Sequence, residues 1–159
     1  MTLKALEIDT SQSKVSFHIK KLGFLTIKGT LADLQGTIAF DKNDLENSNF
    51  DVSVSPITID TGNIKRDEHL KSNDFFYVKE FPKISFQSTK ILKEKNHFLA
   101  IGQVAILNTS NEVSIPFSYE NSLLKGAFSL NRLDYDLGKK FPTFIVGKTV
   151  QISINTKTK

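Results

Sequence analysis

Short runs of alternating apolar and polar residues, each ended by a turn, constrain this chain more than any other feature. Val15, Phe17 and Ile19 alternate with Ser16, His18 and Lys20, the period of a strand with one buried face. Gly23 breaks that run, and Leu25, Ile27 and Leu31 resume it. Gly36 opens a third run carrying Ile38 and Phe40, closed by the polar turn Asp41-Lys42-Asn43-Asp44. Phe50, Val52 and Val54 share the next face, and Pro56 then puts Ile57 and Ile59 out of phase with them. Proline cannot donate to a ladder, so a bulge or bend is predicted there. Ile84 and Phe86 begin a fifth strand, and the stretch from Phe98 to Leu107 is apolar on both faces, predicting cover on both sides. Asn108-Thr109-Ser110-Asn111 reads as a hairpin turn, followed by alternation at Val113, Ile115, Phe117 and Tyr119. Leu124, Phe128 and Leu130 form another strand, and Val150, Ile152 and Ile154 share one face of the last. About eight or nine strands, with turns roughly every 8–12 residues, predict an all-β antiparallel barrel or sandwich. No repeat, low-complexity segment or linker divides residues 1–159, which are expected to form one domain.

One segment departs from this pattern. After Asp60-Thr61-Gly62-Asn63 the chain packs Lys65, Arg66, Asp67, Glu68, His69 and Lys71 together, and Ser72-Asn73-Asp74 offers N-cap oxygens ahead of Phe75-Phe76-Tyr77. Phe81-Pro82 ends the segment, because proline disfavours helical geometry at the residue before it. A short helical insert over residues 63–81 is therefore expected. Its charges cannot be buried unpaired. Two consecutive phenylalanines left in water would form an exposed patch. The insert is thus expected to lie on the sheet as a lid, with Phe75 and Phe76 directed at whatever the sheet encloses.

Composition narrows the function classes. The chain has 13 Phe, 3 Tyr and no Trp, which gives apolar wall with few hydrogen-bond donors to satisfy. With no cysteine, disulfides, zinc–thiolate sites and thiol chemistry are excluded. The net charge of +4 comes from lysines spread among acidic residues, not from a dense basic block. That pattern speaks against nucleic-acid binding and suits a basic surface that meets anionic lipid or an anionic head group. No apolar run approaches a membrane span, and the opening MTLKALEIDT lacks the apolar core of a signal peptide. A cytoplasmic location is expected as the sequence stands, with the periplasm as the alternative if a leader precedes Met1.

The central block also carries a resemblance. Ile59-Asp60-Thr61-Gly62-Asn63, Arg66-Asp67-Glu68-His69-Leu70-Lys71-Ser72, Asp74-Phe75-Phe76, Phe81-Pro82 and Phe86-Gln87-Ser88-Thr89 resemble the S-I-D-T-G-N, R-D-x-H-L-R-S, D-F-F, Y-P and F-x-S-T pattern of the YceI-like family. Val15-Ser16-Phe17, Lys28-Gly29-Thr30, Gly36-Thr37-Ile38 and Asn131-Arg132-Leu133-Asp134-Tyr135 fit as well. Three positions differ: Leu6 replaces the aromatic that usually opens the first strand, Asn108 replaces a turn glycine, and Asp136 stands where glycine is usual after Tyr135. Asparagine tolerates positive φ, so the Asn108 turn is expected to survive. The resemblance implies a lipocalin-like, roughly eight-stranded β-barrel. Its apolar pore would hold a polyisoprenoid, such as a polyprenyl diphosphate or quinone, or a fatty-acyl amphiphile, without a cofactor.

On that reading Phe17, Ile19, Phe24, Ile27, Phe40, Phe75, Phe76, Phe86 and Phe128 are the candidate pore lining, with ordinary core packing as the alternative for each. Arg66, His69 and Arg132 are candidates for a ligand's polar head, since an Arg fork suits diphosphate. A purely structural ion pair is the competing role. Arg66, Asp67 and His69 also allow an enzyme of isoprenoid or lipid metabolism with His69 as proton carrier, though no nucleophile with a base and orienter accompanies them. His18 and His97 have no partner at metal-ligand spacing. The expectation is a non-enzymatic lipid carrier, able to pair as a homodimer. The remaining rival is a filled-core structural module.

Overall fold

A computed structural model describes residues 2–159. Eight antiparallel strands close into a barrel: β1 (Lys14–Lys21), β2 (Leu25–Ala39), β3 (Asn49–Asp60), β4 (Ile84–Lys93), β5 (Phe98–Ile106), β6 (Thr109–Glu120), β7 (Leu123–Asn131) and β8 (Val146–Lys157). Each pairs with the next, and β8 returns to β1 through Phe17 opposite Ile152 and Val15 opposite Ile154. Closure leaves no strand edge free to pair with another chain. The one α-helix among the described residues, α1 (Ile64–Lys71), lies in the connection between β3 and β4.

The third run of the sequence is not a separate strand. Leu25–Ala39 is continuous, and Asp33, with φ of 62°, is a bulge that re-phases it, so that Leu31, Leu34 and Ile38 all point inward. The Asp33 carboxylate accepts from Ser55 Oγ and Gln35 Nε2, each at 2.6 Å, which ties the bulge to β3. The bend expected at Pro56 is present as a register shift: Thr30 faces Asp60, yet Ala32 faces Ser55. Thr58 Oγ1 staples it by accepting from Ala32 N–H at 2.8 Å and donating to Ser55 O at 2.6 Å. Ile57 does not rejoin the core with Ile59. It is exposed, because Pro56 and Ile59 take the inward positions on either side of the bulge.

Two other expectations are corrected. The outward residues of β5, Leu99, Ile101, Gln103 and Ala105, are half-buried instead of covered, since among the described residues no second layer lies outside this strand. The β5–β6 turn is Leu107-Asn108, and the positive φ of 54° falls on Leu107, not on Asn108.

The two barrel ends differ. At one, Phe40 packs against Phe98, Phe117 and Tyr119, with ring centroids 5.0, 5.4 and 5.6 Å away, and Leu6 and Ile8 cover the same cluster. Leu6 is held there by its N–H, which donates to Ile38 O at 2.6 Å. The other end carries the β1–β2 hairpin, the α1 connection and the long connection between β7 and β8.

Candidate functional site: an apolar cavity in the barrel

Between these ends the barrel encloses a cavity of about 220 Å³. A void of roughly 10–15 Å³ already holds a water molecule, so this space is far larger than a packing defect. Its wall is apolar apart from Ser53, Ser85, Arg132 and Thr156. Ile38, Phe50, Phe117 and Leu124 form the floor above the Phe40 cluster. Val15, Phe17, Ile19, Phe128, Val150, Ile152 and Ile154 line one side in matched register across β1, β8 and β7. Phe17 fits there because Gly29 stands opposite it on β2, where a Cβ atom would collide with the Phe17 ring.

Six of the nine proposed lining residues lie on this wall: Phe17, Ile19, Phe75, Phe76, Phe86 and Phe128. Phe24 does not. It sits at the tip of the β1–β2 hairpin, where the turn breaks strand parity, and is exposed. Phe40 keeps the inward parity of Ile38 but lies beyond the floor as a plug. Ile27, across from Ile19, is half-buried outside the lining set.

The insert covers the barrel end as expected, with a helix before the turn that aims the phenylalanines. Asn63 is the N-cap of α1, its side chain accepting from Arg66 N–H at 2.9 Å, and Ser72 closes the C-terminus by donating to His69 O at 2.6 Å. Ser72 Oγ also accepts from Asp74 N–H at 3.3 Å, so Ser72 caps the turn ahead of the phenylalanines, as expected. The chain doubles back there, with Phe76 N–H donating to Leu70 O at 2.9 Å and Val78 N–H to Lys71 O at 3.1 Å. That reversal directs both Phe75 and Phe76 into the cavity beside Leu70. Phe75 stacks on Phe141 of the β7–β8 connection.

The polar candidates are occupied elsewhere. Arg66 donates from Nε to Thr61 Oγ1 at 2.8 Å and from Nη2 to Thr61 O at 2.7 Å, while buried Asp67 accepts from Thr61 N–H at 3.0 Å and from its hydroxyl. Together they pin α1 to the end of β3. His69 Nε2 meets Asp74 Oδ2 at 2.8 Å, and Lys140 Nζ reaches Asp74 Oδ1 at 3.3 Å. These partners, His69 first and then Lys140, hold the Asp74 carboxyl below the usual carboxylate range against the opposing effect of burial. None of Arg66, Asp67 and His69 lines the cavity.

Arg132 is buried at the cavity edge, and its guanidinium donates to five carbonyls: Gly147, Leu137, Gly138, Phe141 and Val146, at 2.6 to 3.0 Å. A guanidinium has five N–H donors, so none is left for a ligand. Burial lowers its pKa from the ordinary value. Asp136, in place of the expected glycine, takes the left-handed conformation (φ 57°) that the turn after Tyr135 requires. The carbonyl cage around Arg132 is therefore intact. Tyr135 beside it is fully buried, and burial pushes its phenol up.

Aliphatic lining residues such as Leu31, Leu34, Leu70, Val104, Leu130 and Leu137 were not singled out from the sequence. The signal for part of the wall was present, since Val150, Ile152 and Ile154 share a face and pair with Ile19, Phe17 and Val15.

An eight-stranded closed barrel with a helical insert over one end and an apolar interior space is a lipocalin-like architecture. The YceI-like domain description matches residues 6–158, and the chain belongs to that family. Protein YceI of Salmonella arizonae is 33% identical over 110 residues, 69% of this chain and 56% of the relative. The UPF0312 protein plu2095 of Photorhabdus laumondii is 27% identical over 108 residues, 68% of this chain and 56% of the relative. The match thus spans little more than half the length of these curated relatives. Among solved structures, Burkholderia cenocepacia BcnA superposes with a TM-score of 0.86 at 20% identity, covering 94% of this chain and 98% of that one. A polyisoprenoid-binding domain from Saccharophagus degradans superposes at 0.74 with 11% identity, covering 96% of each chain. These two likenesses establish the fold.

Proposed function

We propose that this protein is a non-enzymatic carrier that holds the hydrocarbon chain of an isoprenoid, or of a similar amphiphile, inside the barrel. The observation that carries the reading is the cavity of about 220 Å³ whose wall is apolar and whose one cation is already saturated by carbonyls. Such a space rewards apolar contact. Burying a CH₂ contributes about 0.8 kcal/mol, so each five-carbon isoprene unit contributes roughly 3–4 kcal/mol before ordering costs. The polyisoprenoid-binding domain of Saccharophagus degradans, with its matching fold, supports an isoprenoid as the cargo. Arg66 and His69, tied to Thr61 and Asp74, favour a structural role over acid–base chemistry. With Arg132 spent, the polar head of the cargo belongs outside the floor and wall, at the end covered by the insert.

Filling the cavity tests this. Ile152 lies between Phe17 and Phe128 in the inward register. An Ile152→Trp variant should fold with little loss of stability and lose uptake of a fluorescent polyprenyl probe. In a filled core the same change would overpack by about 1–3 kcal/mol. Marked destabilisation of Ile152→Trp, together with failure of the unsubstituted protein to take up the probe, would overturn the carrier reading.

A further inference from the structure

The exposed apolar residues at the end covered by the insert are not scattered. Phe24 is 72% exposed, Leu22 49% and Leu25 44%, all on the β1–β2 hairpin, and Phe144 is 73% exposed. Leu22 N–H donates to Ile145 O at 2.9 Å, and Lys21 pairs with Val146, so the hairpin tip and the residues around Phe144 form one rim. The tip is a tight turn with Leu22 and Gly23 both at positive φ, 54° and 78°, so the apolar side chains stand on a short, fixed projection.

The segments that form this rim carry charge of one sign, although Asp74 of the insert reaches Lys140. Residues 14–32 and 137–159 contain nine lysines and no Asp or Glu, although the chain has 17 acidic residues. These two segments are neighbours, because β8 pairs with β1. Lys20, Lys21 and Lys148 lie at the paired ends of β1 and β8 beside the apolar tips, and none of the three has an ion-pair partner among the described residues.

The apolar surface also runs inward without a break. On the face of β2 that carries Leu31 in the cavity wall, the next positions outward are Gly29, half-buried Ile27 and exposed Leu25. Ile27 stands opposite Ile19, itself in the wall. We propose that this rim docks on an anionic lipid bilayer, with Phe24, Leu22, Leu25 and Phe144 entering the interface and the lysines meeting acidic head groups. Convex apolar tips flanked by flexible ammonium groups suit a bilayer surface. They provide no groove for a helix, and the closed barrel has no edge for an added strand. A second copy of the chain would bring two basic rims together. The rim rests on its own chemistry, while its use for loading rests on the carrier reading above.

The chain has no tryptophan, so Phe24→Trp supplies a single fluorescent reporter. Its emission should shift to the blue on adding phosphatidylcholine vesicles containing about 30% phosphatidylglycerol, and not with phosphatidylcholine alone. In flotation, the Phe24→Ser/Phe144→Ser variant should bind such vesicles at least about tenfold more weakly, and Lys20→Gln/Lys148→Gln should bind more weakly with less dependence on salt. Absence of both the shift and flotation overturns the proposal, as does equal binding to vesicles without phosphatidylglycerol. Probe uptake from vesicle-free solution, measured beside it, separates the two readings. Uptake without vesicle binding sinks the docking surface alone, and vesicle binding without uptake sinks the carrier alone.

Discussion

Phe75 lies flat on Phe141, with ring centroids 5.0 Å apart and planes 12° from parallel. Gly138 makes the pairing possible, since a Cβ there would meet the Phe75 ring, and its φ of 64° disfavours any side chain. The stack fastens the insert to the β7–β8 connection across the covered end of the cavity. Phe141→Ala should therefore free the insert while leaving the barrel folded. Aromatic pairs add about 0.5–1.5 kcal/mol beyond area burial. Amide exchange between Asn63 and Phe81 should accelerate in the variant and slow on loading with a polyprenyl ligand. Identical exchange of that segment in free and loaded protein would make it scaffold and not lid.

A second fastening is ionic. Asp74 has its pKa lowered chiefly by the His69 hydrogen bond, then by Lys140. A carboxyl depressed in the folded state stabilises above its unfolded value, near 3.8. That contribution disappears as pH falls through the lower folded value. Thermal melts of the native protein from about pH 6 to about pH 2 should fall more steeply than those of Asp74→Asn. Parallel curves would show that the pair contributes nothing to the fold.

Arg132 should behave as part of the fold. Removing the guanidinium leaves up to five buried carbonyls without donors, so Arg132→Met is expected to cost at least about 3 kcal/mol in urea unfolding. Arg132→Lys should recover little of it, because an ammonium has three donors and no planar fork. Loss of ligand uptake should track loss of folded protein in both variants. A well-folded Arg132→Met protein that has lost affinity only for ligands with an anionic head would reassign Arg132 to the head group.

The β6–β7 turn offers a stabilising change. Asn121 and Ser122 both take positive φ, 53° and 63°, and Ser122 makes its hydrogen bonds with Thr158 through its carbonyl, not its side chain. An Asn-Gly turn suits this geometry best. Ser122→Gly should raise stability by up to about 1 kcal/mol in denaturant unfolding. A decrease would mean that the Ser122 side chain contributes more than the strain removes.

Much of the barrel was legible because a strand with one face toward an apolar interior alternates, and nearly every strand here does. Legibility failed where backbone conformation re-phased the pattern. Asp33 at positive φ merged two apparent strands into β2, and the bulge stapled by Thr58 turned Ile57 outward. Phenylalanine identity alone did not separate wall from plug or tip. Phe40 and Phe24 differ from Phe17 in their position along the barrel, which composition does not encode. The motif residues Arg66 and Arg132 drew attention as head-group ligands because an Arg fork suits diphosphate. Their acceptors, Thr61 and a ring of five carbonyls, come together only once the connections fold.

A barrel that holds a lipid chain should still carry one when it is purified from its own host. Native mass spectrometry of such protein, followed by organic extraction and analysis of what is released, shows whether it does. The expected result is a mass increment matching one amphiphile with a long isoprenoid or acyl chain, lost on extraction and restored by adding the lipid back. Protein recovered empty in repeated preparations, and still empty after incubation with polyprenyl and acyl lipids, would contradict it.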